Sequence, residues 1–478
     1  VRRRIAGAAA TPPAAVRLRL GGDLSCRSVT ARDRPGALGW RAVSAWALAA
    51  VALLTLLHLW RGDGYWEYSD GVYALTARLL LDGRALYDAV GAAQPPPIFL
   101  FGAGALAIDD TVGFLRAAVA AVQLATSALV LVAVWRLTRG RLAAVVAALA
   151  VLVAPWTLRE HAQLIPETFA APLLLAATLA IGRAGGARRG GGEGALRAGA
   201  LAGALCALAS AFKVAFALPA LVLLLAGARG RDARLGGLAG FAGAGLLLGA
   251  AALAAFGAPL LDGVVRAQRE TGLAGLRYVG GLWAQAGWNL LPLAACAALA
   301  WPFRDRLADR DLARALAATA AGALLLLATL FKSGSYLTVV VVIEPPLLCL
   351  AAAGVVAAWR SWQAAGAAGW AVAVAAAALA LGIAQVGSLL ADPGDPRPFT
   401  RPFAASGPGW NLSPEEVDAA VARLRACPPG LAASGPPYLA FAAGRRMPGD
   451  QPDQFILRHA PVLGELHDRA DADQPRCP

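Results

Sequence analysis

The chain has 478 residues, 58% of them hydrophobic and only 15% charged, with 43 Lys plus Arg against 30 Asp plus Glu and a mean hydropathy of +0.58. A soluble globular protein carries about 25% charged residues, so this composition excludes a soluble domain and indicates an integral membrane protein. The net charge of +13 is spread as arginines between apolar runs, a distribution that orients a protein in a bilayer and does not form the basic stripe that grips nucleic acid.

Residues 1–41 hold nine arginines against Asp23 and Asp33, with Pro and Gly scattered among them. They read as a disordered basic tail held in the cytoplasm. The first span, Ala42 to Trp60, is long enough to cross roughly 30 Å of hydrocarbon at 1.5 Å per residue. It leads into an external loop, 61–113, that concentrates Asp63, Glu67, Asp70, Asp82 and Asp88 beside the membrane. Pro95 to Ile108 in this loop is apolar but short and opens on three prolines, so it is expected to lie in or re-enter the interface.

Ten further spans follow: Phe114 to Trp135, Leu142 to Leu158, Pro166 to Ile181, Leu196 to Phe212, Val214 to Ala228, Leu235 to Phe256, Ala286 to Phe303, Leu312 to Phe331, Leu337 to Trp359 and Ala364 to Leu390. The predicted fold is therefore an all-α polytopic bundle of eleven crossings over 42–390. Alternate loops at Arg136–Arg141, Arg183–Arg197, Arg229–Arg234, Arg304–Arg314 and Arg360 are basic and are assigned to the cytoplasm. Of the loops assigned outside, only Gly257–Gln285, with Arg266, Arg269 and Arg277, runs against that rule. An odd number of crossings puts the C-terminal module, 391–478, outside the cell.

That module is expected to be small, α/β or irregular. Ser413-Pro-Glu-Glu416 is a capping box that opens a helix with Val417, Val421 and Leu424 on one face. A short apolar run, Tyr438 to Ala443, precedes the polar stretch from Gly444 to Phe455. Cys206, Cys296 and Cys349 fall inside apolar spans, where a thiol acts as a small apolar side chain. Cys427 and Cys477 can pair if the module is outside the reducing cytosol, whereas Cys26 has no evident partner. The chain has no CxxC, HExxH or GxxxxGK[ST] motif, so no structural zinc or P-loop site is expected.

The chemistry is expected on the outer face. Asp70 stands at the start of an amphipathic segment, where a carboxylate in apolar surroundings can act as a general base or simply complement the helix dipole. Lys213 and Lys332 are the two lysines of the chain, both at outer span boundaries; each can meet a lipid phosphate or reach water by snorkelling. Arg159, His161, Gln163 and Glu167 cluster in another outer loop and either line a polar cavity or start the next helix. His58 reads as an interfacial residue.

The run Ser69-Asp70-Gly71-Val72-Tyr73-Ala74, with Leu81-Asp82-Gly83, Leu86-Tyr87 and Gln94-Pro95-Pro96 after it, resembles the first external loop of the GT-C glycosyltransferases. These multi-span enzymes take a sugar from a polyprenyl-phosphate donor, and they include protein O-mannosyltransferases and the aminoarabinose transferase acting on lipid A. Family members typically carry an acidic pair where Ser69 and Asp70 stand, and often a Lys where Gln94 precedes the prolines. Lys332-Ser-Gly-Ser-Tyr336, ahead of Glu344-Pro-Pro346, is similar to a segment in which a cation and a Tyr sit near the donor phosphate.

The resemblance implies an inverting transfer to a hydroxyl on a lipid, glycan or protein, at the outer face of the plasma membrane. It implies Asp70 as base with Glu67 as rival. Lys332, Tyr336, Lys213 and Arg159 would bind the donor phosphate, and Tyr73, Gln94, His161 and Glu167 would bind substrate. Some relatives bind a divalent metal and others none. The alternative reading is a transporter or flippase, but such proteins place ionisable residues near the bilayer midplane, where only Glu344 qualifies here. High Ala, Gly and Arg with almost no Lys fits a GC-rich bacterial source.

Overall fold

The computed structural model describes residues 38–61, 68–187, 192–365, 369–391, 414–471 and 476–477. Glu67 and Ser413 of the expected capping box lie outside the described residues, as does the basic tail through residue 37.

The protein is a helical bundle, as Ala/Leu-rich segments require. In hydrocarbon every backbone N–H and C=O must be bonded within the chain, and a helix does this segment by segment. The helices are α1 (Trp40–Arg61), α2 (Tyr68–Leu81), α3 (Pro97–Ile108), α4 (Val112–Thr138), α5 (Arg141–Ala150), α6 (Pro155–Arg159), α7 (Pro166–Ala187), α8 (Gly192–Phe212), α9 (Ala217–Val222) and α10 (Arg231–Phe256). After them come α11 (Leu276–Ala298), α12 (Arg310–Leu324), α13 (Val340–Ala365) and α14 (Gly369–Ala391).

Among the described residues, eight helical stretches are long and apolar enough to cross a membrane, fewer than the eleven crossings expected. The other three expected spans are present as helix of a different kind. Arg141–Val153 and Val214–Gly227 are short apolar helices. Pro155 restarts the first of them as α6, and the second departs from α-helix at Leu223–Gly227, a π turn. The third, α11, runs from Leu276 to Ala298, ten residues earlier than the predicted start at Ala286.

Val214–Gly227 starts beside Lys213, which pairs with Glu167, and ends beside Arg229, which pairs with Asp311. The bundle thus has a basic end, where Arg136 meets Asp309 at 2.6 Å, and an opposite end carrying α2. Packing between α8 and α10 is backbone to backbone: a Cβ on Gly203 would stand 2.0 Å from the Gly237 carbonyl oxygen. Small residues permit this approach, and van der Waals contact holds helices together where lipid supplies no hydrophobic drive.

Beyond the last span, α15 (Pro414–Ala426), α16 (Pro437–Ala442), α17 (Gln454–His459) and α18 (Gly464–Asp471) form a small module with a parallel pairing of Ala432–Ala433 to Arg476–Cys477. Val417, Val421 and Leu424 are buried as the periodicity predicted. Cys427 and Cys477 are joined in a disulfide.

The module packs on the first external loop. A Cβ on Gly71 would come within 2.5 Å of the Tyr438 nitrogen, so α2 must carry glycine there for α16 to dock. Arg78 donates to the Phe441 carbonyl at 2.7 Å, Arg84 pairs with Asp450 at 2.8 Å, and Gln451 accepts from the Gly91 amide at 2.8 Å while donating to the Ala89 carbonyl at 2.7 Å.

Candidate active site

At the end of the bundle that carries α2, a polar cavity of about 410 Å³ is lined by residues from seven parts of the chain. The start of α2 contributes Tyr68, Ser69 and Tyr73, and the loop before α3 contributes Gln94. The first turn of α7 presents Glu167, and the residue after α8 is Lys213. Lys332 and Tyr336 come from the connection between α12 and α13, Arg269 from the stretch before α11, and Asp453 with Phe455 from the C-terminal module. Six of the expected site residues therefore meet here: Tyr73, Gln94, Glu167, Lys213, Lys332 and Tyr336.

Local structure explains why the two lysines converge. Lys213 follows the last turn of α8 in extended backbone, and its ammonium reaches Glu167 at 2.8 Å. Lys332 ends a 3-10 segment, Leu325–Phe331, and is held by an antiparallel bridge to Leu273 and by the Ser333 amide donating to the Gly272 carbonyl at 3.0 Å. Gly334 has φ +76°, and a Cβ there would strike the Phe455 ring, so glycine lets the loop turn under the module. Burial pulls the Lys332 ammonium down to about 8; the nearby Lys213 charge adds to this and Asp453 opposes it.

The remaining expected residues that the structure describes, Asp70, Arg159 and His161, sit elsewhere. Asp70 is not among the residues lining the cavity. It is buried, with Oδ2 2.9 Å from the Arg116 guanidinium and Oδ1 accepting from the Leu164 amide at 2.7 Å. Burial pushes its carboxyl up, with Arg116 and the Leu164 amide acting against this. Arg116 also donates to the Ala162 carbonyl at 3.0 Å, and Ala162 adopts φ +57°. Asp70 and Arg116 thus tie α2 and α4 to the loop that delivers Glu167. Arg159 pairs with Glu160 at 3.2 Å and lies over the Trp156 ring, and His161 is buried in the same loop; none of these lines the cavity. Glu344 is buried and accepts from the Trp156 and Thr157 amides at 2.8 and 2.9 Å, which caps α6.

Asp453, Tyr68 and Arg269 were not foreseen as site residues. Asp453 carried no motif in sequence and reaches the cavity only because the module folds back onto α2. It is partly buried, and its Oδ1 accepts from the Ile456 amide at 3.1 Å. Burial pushes its carboxyl up to about 6, against hydrogen bonds from the Ile456 and Phe455 amides and Tyr68 and the charge of Lys332. Among the described residues no group of three or more His, Cys, Asp and Glu side chains is arranged to hold a metal ion.

Beside the polar cavity lies an apolar groove of about 750 Å³, formed by Leu100, Phe241, Leu248 and Ala252 and by small residues of α8 and α10. The two share Pro95, Val214, Val264 and Val265 as walls, so polar and apolar spaces adjoin.

No family model and no curated protein matches this chain. Solved structures do. ArnT from Cupriavidus metallidurans bound to undecaprenyl phosphate superimposes with a TM-score of 0.57 at 17% identity, over 84% of this chain and 85% of that one. ArnT from the same organism in the apo state gives a TM-score of 0.54 at 17% identity, over 89% of each chain. At this identity the likeness is one of fold: the protein is built on the GT-C architecture that ArnT has.

Proposed function

We propose that this protein is an integral membrane glycosyltransferase that moves a sugar from a polyprenyl-phosphate donor to a hydroxyl acceptor at the outer face of the plasma membrane. The observation that carries the reading is the junction of the two spaces. A cavity with two lysines adjoins a groove with almost wholly apolar walls. That pairing suits an amphiphile with an anionic head and a long hydrocarbon tail. The ArnT relative in fold was solved bound to undecaprenyl phosphate, a molecule of that kind.

In this reading Lys213, kept in place by Glu167, and Lys332 hold the phosphate, with Tyr336 beside them. Their charge stabilises the phosphate as it leaves the anomeric carbon, where positive groups aimed at developing charge act most strongly. Tyr73 and Gln94 would contact the sugar or the acceptor. Asp70 we read as a positioning residue, because Arg116 and the Leu164 amide occupy its carboxylate. The outer-face location is supported by the Cys427–Cys477 disulfide, since such bonds persist in oxidising compartments.

The test is direct. Protein in nanodiscs is titrated with undecaprenyl phosphate and with the prenyl alcohol of equal length, and the cell envelope of a strain lacking the protein is compared with its parent by mass spectrometry. Binding that requires the phosphate, together with the loss of one glycosyl group from the envelope, is expected. Equal binding of alcohol and phosphate with an unchanged envelope would sink the reading.

A further inference from the structure

We infer that the carboxylate which takes the acceptor's proton is Asp453, supplied to the cavity by the C-terminal module. This rests on the transferase reading above.

Among the described residues, two carboxylates line the cavity, Glu167 and Asp453. Glu167 is almost fully buried and bound by Lys213 at 2.8 Å, which commits its charge to holding a cation. Asp453 lines the cavity and, among the described residues, forms no salt bridge; it meets the charge of Lys332 without pairing with it. Its other neighbours fix the carboxylate without neutralising it. The Ile456 and Phe455 amides and the Tyr68 hydroxyl bond to it, and a carboxylate has about four acceptor positions. The remaining charged or titratable groups on the cavity wall are Lys213, Glu167 and Arg269, with Tyr73 and Tyr336.

The first external loop supplies no competing base among its described residues. Ser69 lines the cavity with a hydroxyl, and Asp70, next to it, is turned into the Arg116 pair. A carboxylate titrating at about 6 is ionised at neutral pH yet basic enough to accept a proton, the compromise that general-base catalysis favours.

The step balances without any further reactant. The acceptor hydroxyl oxygen forms a bond to the anomeric carbon, its proton passes to a carboxylate oxygen of Asp453, and the bond from the anomeric carbon to the phosphate oxygen breaks. The electron pair leaves with the polyprenyl phosphate, facing Lys332 and Lys213. Asp453 then returns its proton to water.

Because Asp453 also caps α17, the bland alternative is that it only starts that helix. Asn caps a helix about as well as Asp, so Asp453→Asn removes the base and leaves the cap. Transfer from a polyprenyl-phosphate sugar is measured in membranes that contain the natural acceptor, alongside undecaprenyl phosphate affinity and thermal unfolding of the nanodisc protein. Asp453→Asn should transfer about 100-fold or more slowly, within the range expected for loss of a general base, with affinity and unfolding nearly unchanged. Asp453→Glu should recover part of the rate and shift the acid limb of the pH profile.

Retention of a third or more of the rate by Asp453→Asn overturns the assignment, as does a loss confined to Glu167→Gln. If Asp453→Asn does not fold, the wild-type profile decides: no fall in transfer rate as pH drops through about 6 overturns it. A wild-type protein that neither binds undecaprenyl phosphate nor transfers sugar overturns the transferase reading and the base with it, an outcome separable from failure of Asp453 alone.

Discussion

Lys213 and Lys332 are the two lysines among 43 basic residues, and they face one cavity. A lysine whose pKa is lowered by burial is charged below that value and neutral above it, so donor affinity should weaken as pH rises through about 8. The sign for stability is the reverse. Folding holds the Lys332 proton less tightly than the unfolded chain does, so its contribution to stability grows as pH rises from about 8 toward the ordinary lysine value. Bound phosphate should restore the proton, and calorimetry of undecaprenyl phosphate binding near the Lys332 pKa in buffers of different ionisation enthalpy should read proton uptake. Lys332→Ala should abolish that uptake and weaken binding at neutral pH about 10-fold or more, as expected for a lost charged partner. Asp70→Asn is expected to unfold at lower temperature, because stranding the buried Arg116 charge costs about 3–5 kcal/mol. If it melts like the wild type yet transfers no sugar, Asp70 acts chemically and the positioning role falls. At this scale the lysines were legible because their scarcity marks them. Asp70 was legible as important but not in role, since the Arg116 partner is a contact of the fold. Asp453 was invisible as a site residue, because only tertiary structure brings it to the lysines.

Helices that enclose the site depend on small residues at a few places. Gly71 is one, where α2 meets the backbone of α16. Gly71→Val should strain or separate that contact, at about 1–3 kcal/mol as for other overpacked sites. Limited proteolysis should then release the C-terminal module sooner, with transfer falling because Asp453 leaves the cavity. Along α10, Gly245, Gly249 and Ala252 keep the apolar groove open. Gly249→Trp and Ala252→Trp should narrow it and reduce affinity for undecaprenyl phosphate more than for a short prenyl phosphate; equal losses for both would mean the groove does not hold the tail. The long spans were readable from apolar length alone. The segments Arg141–Val153 and Val214–Gly227 were harder, since Pro155 breaks the helix after the first and Pro219 lies within the second. Neighbouring helices, not lipid, can satisfy the backbone that such breaks expose.

For the molecule as a whole, charge and redox chemistry divide by end. Arginines of the loops near Arg136, Arg229 and Arg310 gather at one end, while the cavity and the Cys427–Cys477 bridge occupy the other. The one loop that ran against the positive-inside rule has a local reason for its arginines: Arg269 lines the cavity and Arg266 pairs with Asp262 at 2.6 Å. Two of its three arginines are thus accounted for, one by the site and one by a neighbouring acid. The disulfide spans 50 residues of sequence and ties Cys477 to Cys427, just after α15, so that Asp453 lies within the loop it closes. Closing a loop of that size restricts the unfolded chain by about 4 kcal/mol in the chain-entropy account. Cys427→Ser with Cys477→Ser, or reduction by dithiothreitol, should therefore loosen the module while leaving the spans intact. Sugar transfer should drop, and undecaprenyl phosphate binding, which draws on Lys213, Lys332 and the α10 groove, should change little. Loss of both together would mean that the module shapes the lipid site as well, whereas loss of neither would detach it from the chemistry.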